Sequence, residues 1–287
     1  MSRRPILWAS AILLAVFAYD AVVRPLALDL VALPLVPGGL KVLTLILTLF
    51  SVTNAWYWLG GRATAAFFAL SAAVSWGYEQ VGVMTGLVFG PYHYTDYLGP
   101  RLGDVPLLIP LAWFMMIYPS YVVANLICEG RAFPGPRRAG ATRPPRLVGL
   151  AAASAIVMTA WDLVVDPILS GPSARAWVWE TGGPYFGIPV QNYAGWLLTT
   201  FTVYLAYRWV APRLVANAPA VDAGDARSEP AIAALPAVAY GLMLLADLLS
   251  GAAPAALTII GPLAMGLPCA LALWRLAGDH RASRLAT

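Results

Sequence analysis

The chain has 287 residues, of which 60% are hydrophobic and only 11% are charged, and its mean hydropathy is +0.71. Soluble domains carry about 25% charged residues, so the composition excludes an ordinary soluble protein and predicts an integral membrane protein. The net charge of +4 comes from arginines in short loops between apolar segments. That placement indicates orientation in a membrane and not a nucleic-acid-binding surface.

Eight apolar segments are long enough to cross a bilayer as helices, which takes roughly 20 residues each. In chain order they are 6–23, 40–59, 63–83, 105–127, 146–165, 191–210, 231–250 and 254–276. The sequence therefore predicts an all-α, polytopic membrane helix bundle with about eight transmembrane helices. The whole chain, 1–287, is expected to form a single integral membrane domain.

The positive charges predict how this bundle lies in the cell membrane. With the N-terminus inside, fourteen of the 18 Lys and Arg residues fall on the cytoplasmic side, many of them in two connectors, 130–146 and 211–230. Four fall on the other side: Arg24, Lys41, Arg101 and Arg175. This asymmetry predicts a multi-pass protein with both termini in the cytoplasm.

Histidine and cysteine are too sparse for metal chemistry. The two cysteines, Cys128 and Cys269, are far apart, and the two histidines, His93 and His280, are equally isolated. Membrane oxygenases that use iron need several histidines or sets of carboxylates and histidines. We therefore expect no metal site and no redox cofactor.

The acidic residues gather at one end of the predicted bundle. Four of them, Asp20, Glu79, Asp162 and Asp247, lie within predicted helices, all towards the non-cytoplasmic ends. Four more lie in loops or at helix ends on the same side: Asp96, Asp104, Asp166 and Glu180. Ionisable groups at membrane depth are costly and usually face a protein interior, so we expect a polar site in this outer half. Acids can also collect there simply because the basic residues lie inside, but that explains Glu79 and Asp162 poorly.

Two outer loops are unusually long and rich in glycine, proline and aromatic residues. They are residues 82–106 and 166–192. Both are too apolar for a solvated linker and too interrupted for a helix. Irregular backbone at membrane depth must be covered by protein or line a cavity, so we expect an aromatic lid over the bundle. The alternative is an aromatic belt at the membrane interface.

Asp162 and Asp166 are four residues apart, which places both carboxyls on one helical face. In prenyltransferases such a D-x-x-x-D motif can hold magnesium against a diphosphate. Those enzymes carry a second acidic motif and several cationic partners, which this chain lacks. A prenyltransferase is therefore kept only as an alternative.

Two blocks of the sequence carry distinctive motifs. The first, Trp76–Tyr118, contains Glu79 and the stretches GLVFGPYHYTD, GPRL and VPLLIPLAW. The second runs from Trp161 to Trp196 and contains WDL, DP, WVW, GIP, NY and GW. In these blocks, which cover less than half of the chain, the sequence resembles the CruF-like carotenoid hydratases, the membrane family of bisanhydrobacterioruberin hydratase and the bacterial carotenoid 1,2-hydratases.

The resemblance implies addition of water to the terminal C1–C2 double bond of an acyclic carotenoid end group, giving a tertiary alcohol. Such a reaction needs a strong acid, a positioned water and shielding of a tertiary carbocation, but no cofactor. A buried carboxylic acid can donate the proton, a second carboxylate can take one from the water, and aromatic faces can stabilise the cation. The implied partners are an acyclic carotenoid, the lipid bilayer and other carotenoid biosynthesis enzymes.

The resemblance and the placement of the acids together suggest a set of site residues. We expect Glu79 to be the proton donor, and Asp162 and Asp166 to be the second carboxylate and its orienting partner. Asp96 and Asn192 are candidates for binding water. Candidate substrate-binding residues that line the pocket are Tyr92, Tyr94, Trp179, Tyr185 and Trp196. For each acid the alternative is a structural hydrogen bond or a helix cap that ties down the lid.

Other functions would use the same features differently. A membrane carotenoid or terpenoid cyclase or isomerase would form the same cation and lose a proton instead of capturing water. A transporter could also use intramembrane acids, but we find no inverted repeat or broken helix of the kind that transporters show. A retinal protein needs a lysine within a span, and the only lysine, Lys41, lies at the end of one.

Overall fold

The structure is a computed structural model, and it describes residues 4–27, 39–133, 144–215 and 230–285. Most of the two predicted cytoplasmic connectors, 130–146 and 211–230, lies outside these ranges. So do five of the arginines on which the predicted orientation depends: Arg3, Arg137, Arg138, Arg143 and Arg227.

Long helices make up most of the described chain. They are α1 (Arg4–Ala27, with a π-helical turn at Tyr19–Val23), α2 (Leu40–Leu59), α3 (Gly61–Thr85), α4 (Leu108–Glu129), α5 (Pro144–Leu169), α6 (Val190–Val215), α7 (Pro230–Leu248) and α8, which joins Leu257–Gly261, a π-helical turn at Pro262–Gly266 and Leu267–Leu285. The predicted all-α membrane bundle is confirmed.

Six of these helices, α1, α2, α4, α5, α7 and α8, are long and apolar enough to cross a membrane. The other two, α3 and α6, are equally long but less apolar, and they carry Glu79 and Asn192 on buried positions. The predicted number of about eight spans is therefore approximate.

The central helix is α4, which packs against α2, α3, α5, α7 and α8. Helix α6 packs against α3 and α5, both of which also pack against α4. Phe67 of α3 stacks on Tyr207 of α6, with 3.8 Å between the ring centroids, and meets Phe114 of α4 edge-on at 5.6 Å. This aromatic core holds the helices together away from the acidic end.

Both predicted outer loops fold over one end of the bundle, and we call residues 86–107 and 170–189 together the lid. Strand β1 (Tyr92–Tyr94) of the first loop pairs antiparallel with a strand of the second, Trp177–Trp179. The first loop also contains a short hairpin of β2 (Arg101–Leu102) and β3 (Val105–Pro106), which makes Trp177–Trp179 the fourth strand, β4. The covering loops were predicted from the sequence, but this pairing was not.

Alternation along β1 decides which lid side chains face the bundle. Neighbouring side chains of a strand point to opposite faces. Tyr92 and Tyr94 are therefore buried, whereas His93 between them is exposed. His93 Nδ1 lies 3.1 Å from the Oε1 atom of Glu180 on the outer surface.

The first lid loop docks closely on α6 at Gly195. A Cβ atom added there would lie 2.5 Å from the carbonyl oxygen of Val88 and 2.6 Å from Cδ1 of Phe89. Both distances are too short for any side chain, so the contact depends on glycine.

Gly195→Ala is therefore expected to lower the melting temperature of the purified protein in detergent. Overpacking of this kind costs about 1–3 kcal/mol. Gly149→Ala in α5 is the matched control, because nothing lies within 4 Å of its added Cβ and alanine favours a helix by about 1 kcal/mol over glycine. A melting temperature that is equal for Gly195→Ala and wild type would contradict the close docking of the lid.

Candidate active site

A cavity of about 540 Å³ lies beneath the lid. It is formed where α1, α3, α5 and α7 end and where α2, α4 and α6 begin. Because successive helices run in opposite directions, acids near the C-terminal ends of alternate helices meet there. The carboxyl side chains that line it are Asp20, Glu79, Asp162, Asp166 and Asp247.

Glu79 on α3 is buried and accepts three hydrogen bonds. Its Oε2 atom accepts from the hydroxyls of Tyr92 and Tyr94, the latter at 2.7 Å. Its Oε1 atom accepts from Nε1 of Trp113 at 3.1 Å. Burial, with a smaller contribution from Glu79, raises the pKa of both tyrosines, so the phenols keep their protons. The first lid loop is thus fastened to this carboxyl.

Asp162 and Asp166 on α5 share one donor. Nδ2 of Asn192 on α6 donates to Oδ2 of Asp162 at 2.7 Å and to Oδ2 of Asp166 at 3.0 Å. The other oxygen of Asp166 accepts from Nε1 of Trp177 at 2.8 Å and of Trp179 at 3.2 Å. The spacing of four residues therefore brings the two carboxyls together, and β4 binds the second lid loop to Asp166.

Tyr185 does not line the cavity, and its hydroxyl contacts the backbone of α5. The helix continues past the predicted end at residue 165 to Leu169, with Pro167 inside it. Proline has no N–H to donate to the carbonyl four residues earlier, which here is that of Leu163. The Tyr185 hydroxyl donates to that carbonyl at 2.6 Å. Burial raises the pKa of Tyr185 to about 12, so this donor persists at neutral pH.

Asp96 also lies away from the other predicted site residues. Its carboxylate is fully exposed and forms an ion pair with Arg101, with an N–O distance of 3.0 Å. Arg101 also donates to the Tyr94 carbonyl at 2.9 Å, so this pair stabilises the outer surface of the lid. Asp104 and Glu180 bond there too, to Gln80 and to His93.

Two further acids line the cavity although the sequence analysis assigned them no role. Asp20 lies on the π-helical turn of α1 and pairs with Arg24 at 2.8 Å. Asp247 near the end of α7 accepts a hydrogen bond from Nε1 of Trp161 at 3.1 Å. Both were recognisable as intramembrane acids, and π-helical turns inside helices often occur at functional sites.

Three tryptophans, Trp113, Trp196 and Trp161, form a continuous row along the cavity, and we call them the tryptophan row. Trp113 and Trp196 stack with 4.1 Å between ring centroids, and Trp161 meets Trp196 edge-on at 5.9 Å. Of the three, only Trp196 was predicted to line the pocket. The row connects α4, α5 and α6.

The charges of the cavity are strongly unbalanced. Arg24 is the only cationic side chain among the described residues that line it, and Arg24 is already paired with Asp20. Within the described ranges, none of the other four lining carboxyls forms an ion pair. The same part of the chain contains no group of three or more His, Cys, Asp or Glu side chains that could hold a metal ion.

The fold and the cavity define an integral membrane protein with buried carboxyls in an aromatic pocket suited to an apolar ligand. A family model described as carotenoid biosynthesis protein matches residues 39–269, and the chain belongs to this family. Over 147 residues the chain is 35% identical to the bisanhydrobacterioruberin hydratase of Haloarcula japonica. That match covers 51% of this chain and 45% of the relative, so the chain spans about half the length of the curated protein that it matches.

These comparisons confirm the resemblance to the CruF-like carotenoid hydratases. No solved structure matches the chain.

Proposed function

We propose that this protein is a carotenoid hydratase that adds water to the terminal C1–C2 double bond of an acyclic carotenoid end group. The observation that carries the proposal is the group of buried carboxyls, Glu79, Asp162 and Asp166, inside one aromatic cavity. Membership of a carotenoid biosynthesis family and the similarity to bisanhydrobacterioruberin hydratase support a carotenoid hydratase.

In the proposed reaction Glu79 donates a proton to C2, which breaks the π bond and leaves a tertiary carbocation at C1. A water molecule held by the Asp162 and Asp166 pair forms the new C1–O bond. It then loses one of its two protons to that pair and keeps the other in the hydroxyl group. The net change is alkene plus water to tertiary alcohol, without an electron acceptor or donor. The proton gained by the aspartate pair must return to Glu79 before the next turnover.

The hydrogen bonds of the three carboxyls support this division of roles. Glu79 is bound by two phenols and an indole, and a phenol hydroxyl can either donate a hydrogen bond to the carboxylate or accept one from the protonated acid. Asp162 and Asp166 face the shared amide of Asn192, which aligns their Oδ2 atoms on one side. These two carboxyl oxygens can accept hydrogen bonds from a water molecule.

The uncompensated charge of the cavity also favours acid chemistry. Several negative charges without a cation in an apolar cavity are costly, and buried acids respond by binding protons. Because the described lining has no cation other than the paired Arg24, the cavity favours protons held by Glu79 and by the Asp162 and Asp166 pair. Those are the protons that alkene protonation requires.

The same proposal includes the setting of the enzyme. We place the protein in the cell membrane as one integral domain, 1–287, with both termini in the cytoplasm, on the basis of the arginine asymmetry. The carotenoid end group would enter the cavity while the rest of the polyene lies along the protein in the bilayer. Other enzymes of carotenoid biosynthesis are the expected neighbours.

The origin of the oxygen atom tests the proposal. Purified protein in detergent, incubated anaerobically with an acyclic carotenoid in oxygen-18 water and without added reductant or metal, is expected to give a labelled tertiary alcohol. Mass spectrometry of the product measures the label. Label derived from dioxygen in an aerobic control would refute hydration, and a cyclised product without oxygen would favour the cyclase.

A further inference from the structure

The tryptophan row joins two carboxyls at its ends. Trp113 donates to Glu79 at 3.1 Å, and Trp161 donates to Asp247 at 3.1 Å, with Trp196 in contact with both indoles. The face of an indole carries negative electrostatic potential. Hydrogen bonds in a low-dielectric interior polarise their partners, so donation to a carboxyl oxygen enriches the ring in electron density.

The surroundings of the row reinforce this potential. All three tryptophans line the same cavity as the five carboxyls, and Arg24, the one cation of the described lining, is paired with Asp20. Carboxyl oxygens carry negative partial charge whether or not the group holds a proton. Tryptophan is the best aromatic partner for a cation, and desolvation strengthens the attraction. The cavity therefore combines an apolar volume with a potential that favours positive charge.

We infer that the tryptophan row is a binding site for an organic cation attached to an isoprenoid chain. The isoprenoid identity of the ligand rests on the proposed function, in which a tertiary carbocation forms at C1. A quaternary ammonium at the same position is the stable counterpart of that cation. Asp247, which takes no part in the hydration steps, is then a positioning residue that acts on the cation through Trp161.

Isothermal titration calorimetry in a nonionic detergent tests the inference directly. One probe is an isoprenoid chain that ends in trimethylammonium, and its neutral match ends in a tert-butyl group of the same shape. The ammonium compound is expected to bind at least about tenfold more tightly than the neutral compound. Equal binding of the two compounds would overturn the inference.

Variants of the row show where the preference arises. Trp196→Leu is expected to reduce the preference for the cation to less than about threefold, and Trp196→Phe, which keeps an aromatic face, to retain part of it. Asp247→Asn is expected to weaken cation binding about threefold and to leave binding of the neutral compound unchanged. Trp209→Leu on the same helix is the matched control, because Trp209 is 66% exposed and lies outside the cavity. A preference that survives Trp196→Leu would overturn the inference.

The hydration assay on the same samples separates this inference from the proposed function. If the protein prefers the cation but forms no alcohol, the cation site is supported and the hydratase proposal is refuted. If the protein forms the alcohol but shows no preference for the cation, the hydratase proposal is supported and the cation site is refuted.

Discussion

Glu79→Gln is expected to lower the rate of alcohol formation by about 10²–10⁴-fold, the usual contribution of a general acid. The amide keeps the size of the side chain but cannot protonate an alkene. Product formed from lycopene by membranes of a producing host, measured by chromatography against the amount of protein, gives the rate. Glu79→Asp keeps an acid and is expected to retain more activity than the amide does.

Asp104→Asn is the matched control for this change. Asp104 is exposed on the lid and is bonded to Gln80, next to Glu79 in the chain, but it lies outside the cavity. Its replacement is expected to leave the rate within about twofold of wild type. If Glu79→Gln itself stays within tenfold of wild type, its share of the barrier is below about 1.4 kcal/mol, and Glu79 is not the proton donor.

Asp162→Asn and Asp166→Asn are each expected to reduce the rate at least about hundredfold. Either change removes one of the two carboxyls that face the Asn192 amide, and with it the acceptor for the proton of the attacking water. Rates are measured as for Glu79, and melting temperatures in detergent report whether each variant is folded.

Asp96→Asn is the matched control for the aspartate pair, because Asp96 is an exposed lid carboxylate that pairs with Arg101. It is expected to keep the wild-type rate. A structural role for the pair would lower the melting temperature of both variants and leave the rate per folded molecule unchanged, which would contradict their role in water activation.

Much of the fold was predictable because hydrophobic runs of membrane length allow few alternatives. The predicted span 40–59 coincides with α2, and the predicted span 63–83 lies within α3 (Gly61–Thr85). The predicted end of α5 at residue 165 was wrong by four residues. A proline usually ends a helix at or before the preceding residue, but here Tyr185 donates to the carbonyl that Pro167 leaves unpaired, and the helix continues.

The convergence of acids was predictable from alternating helix direction alone, which places Glu79 and Asp162 at the same end. The orientation of the lid side chains could not be predicted in this way. Whether Asp96 faces the cavity or the solvent depends on the pairing of β1 with β4, two segments about eighty residues apart. Asp247 had no motif around it, and its place in the cavity and its hydrogen bond with Trp161 depend on how α7 packs against α5.

The β1–β4 pairing has a consequence for how the protein is made in the cell. The strands that close the cavity, Tyr92–Tyr94 and Trp177–Trp179, are separated in the chain by α4 and α5. During synthesis β1 leaves the ribosome long before β4. The lid over Glu79 is therefore incomplete while α4 and α5 enter the bilayer. A nascent chain that stops before β4 leaves β1 without its partner strand and Asp166 without the indole donors of Trp177 and Trp179. The site is complete only after α6, which supplies Asn192 and Trp196, has also been made.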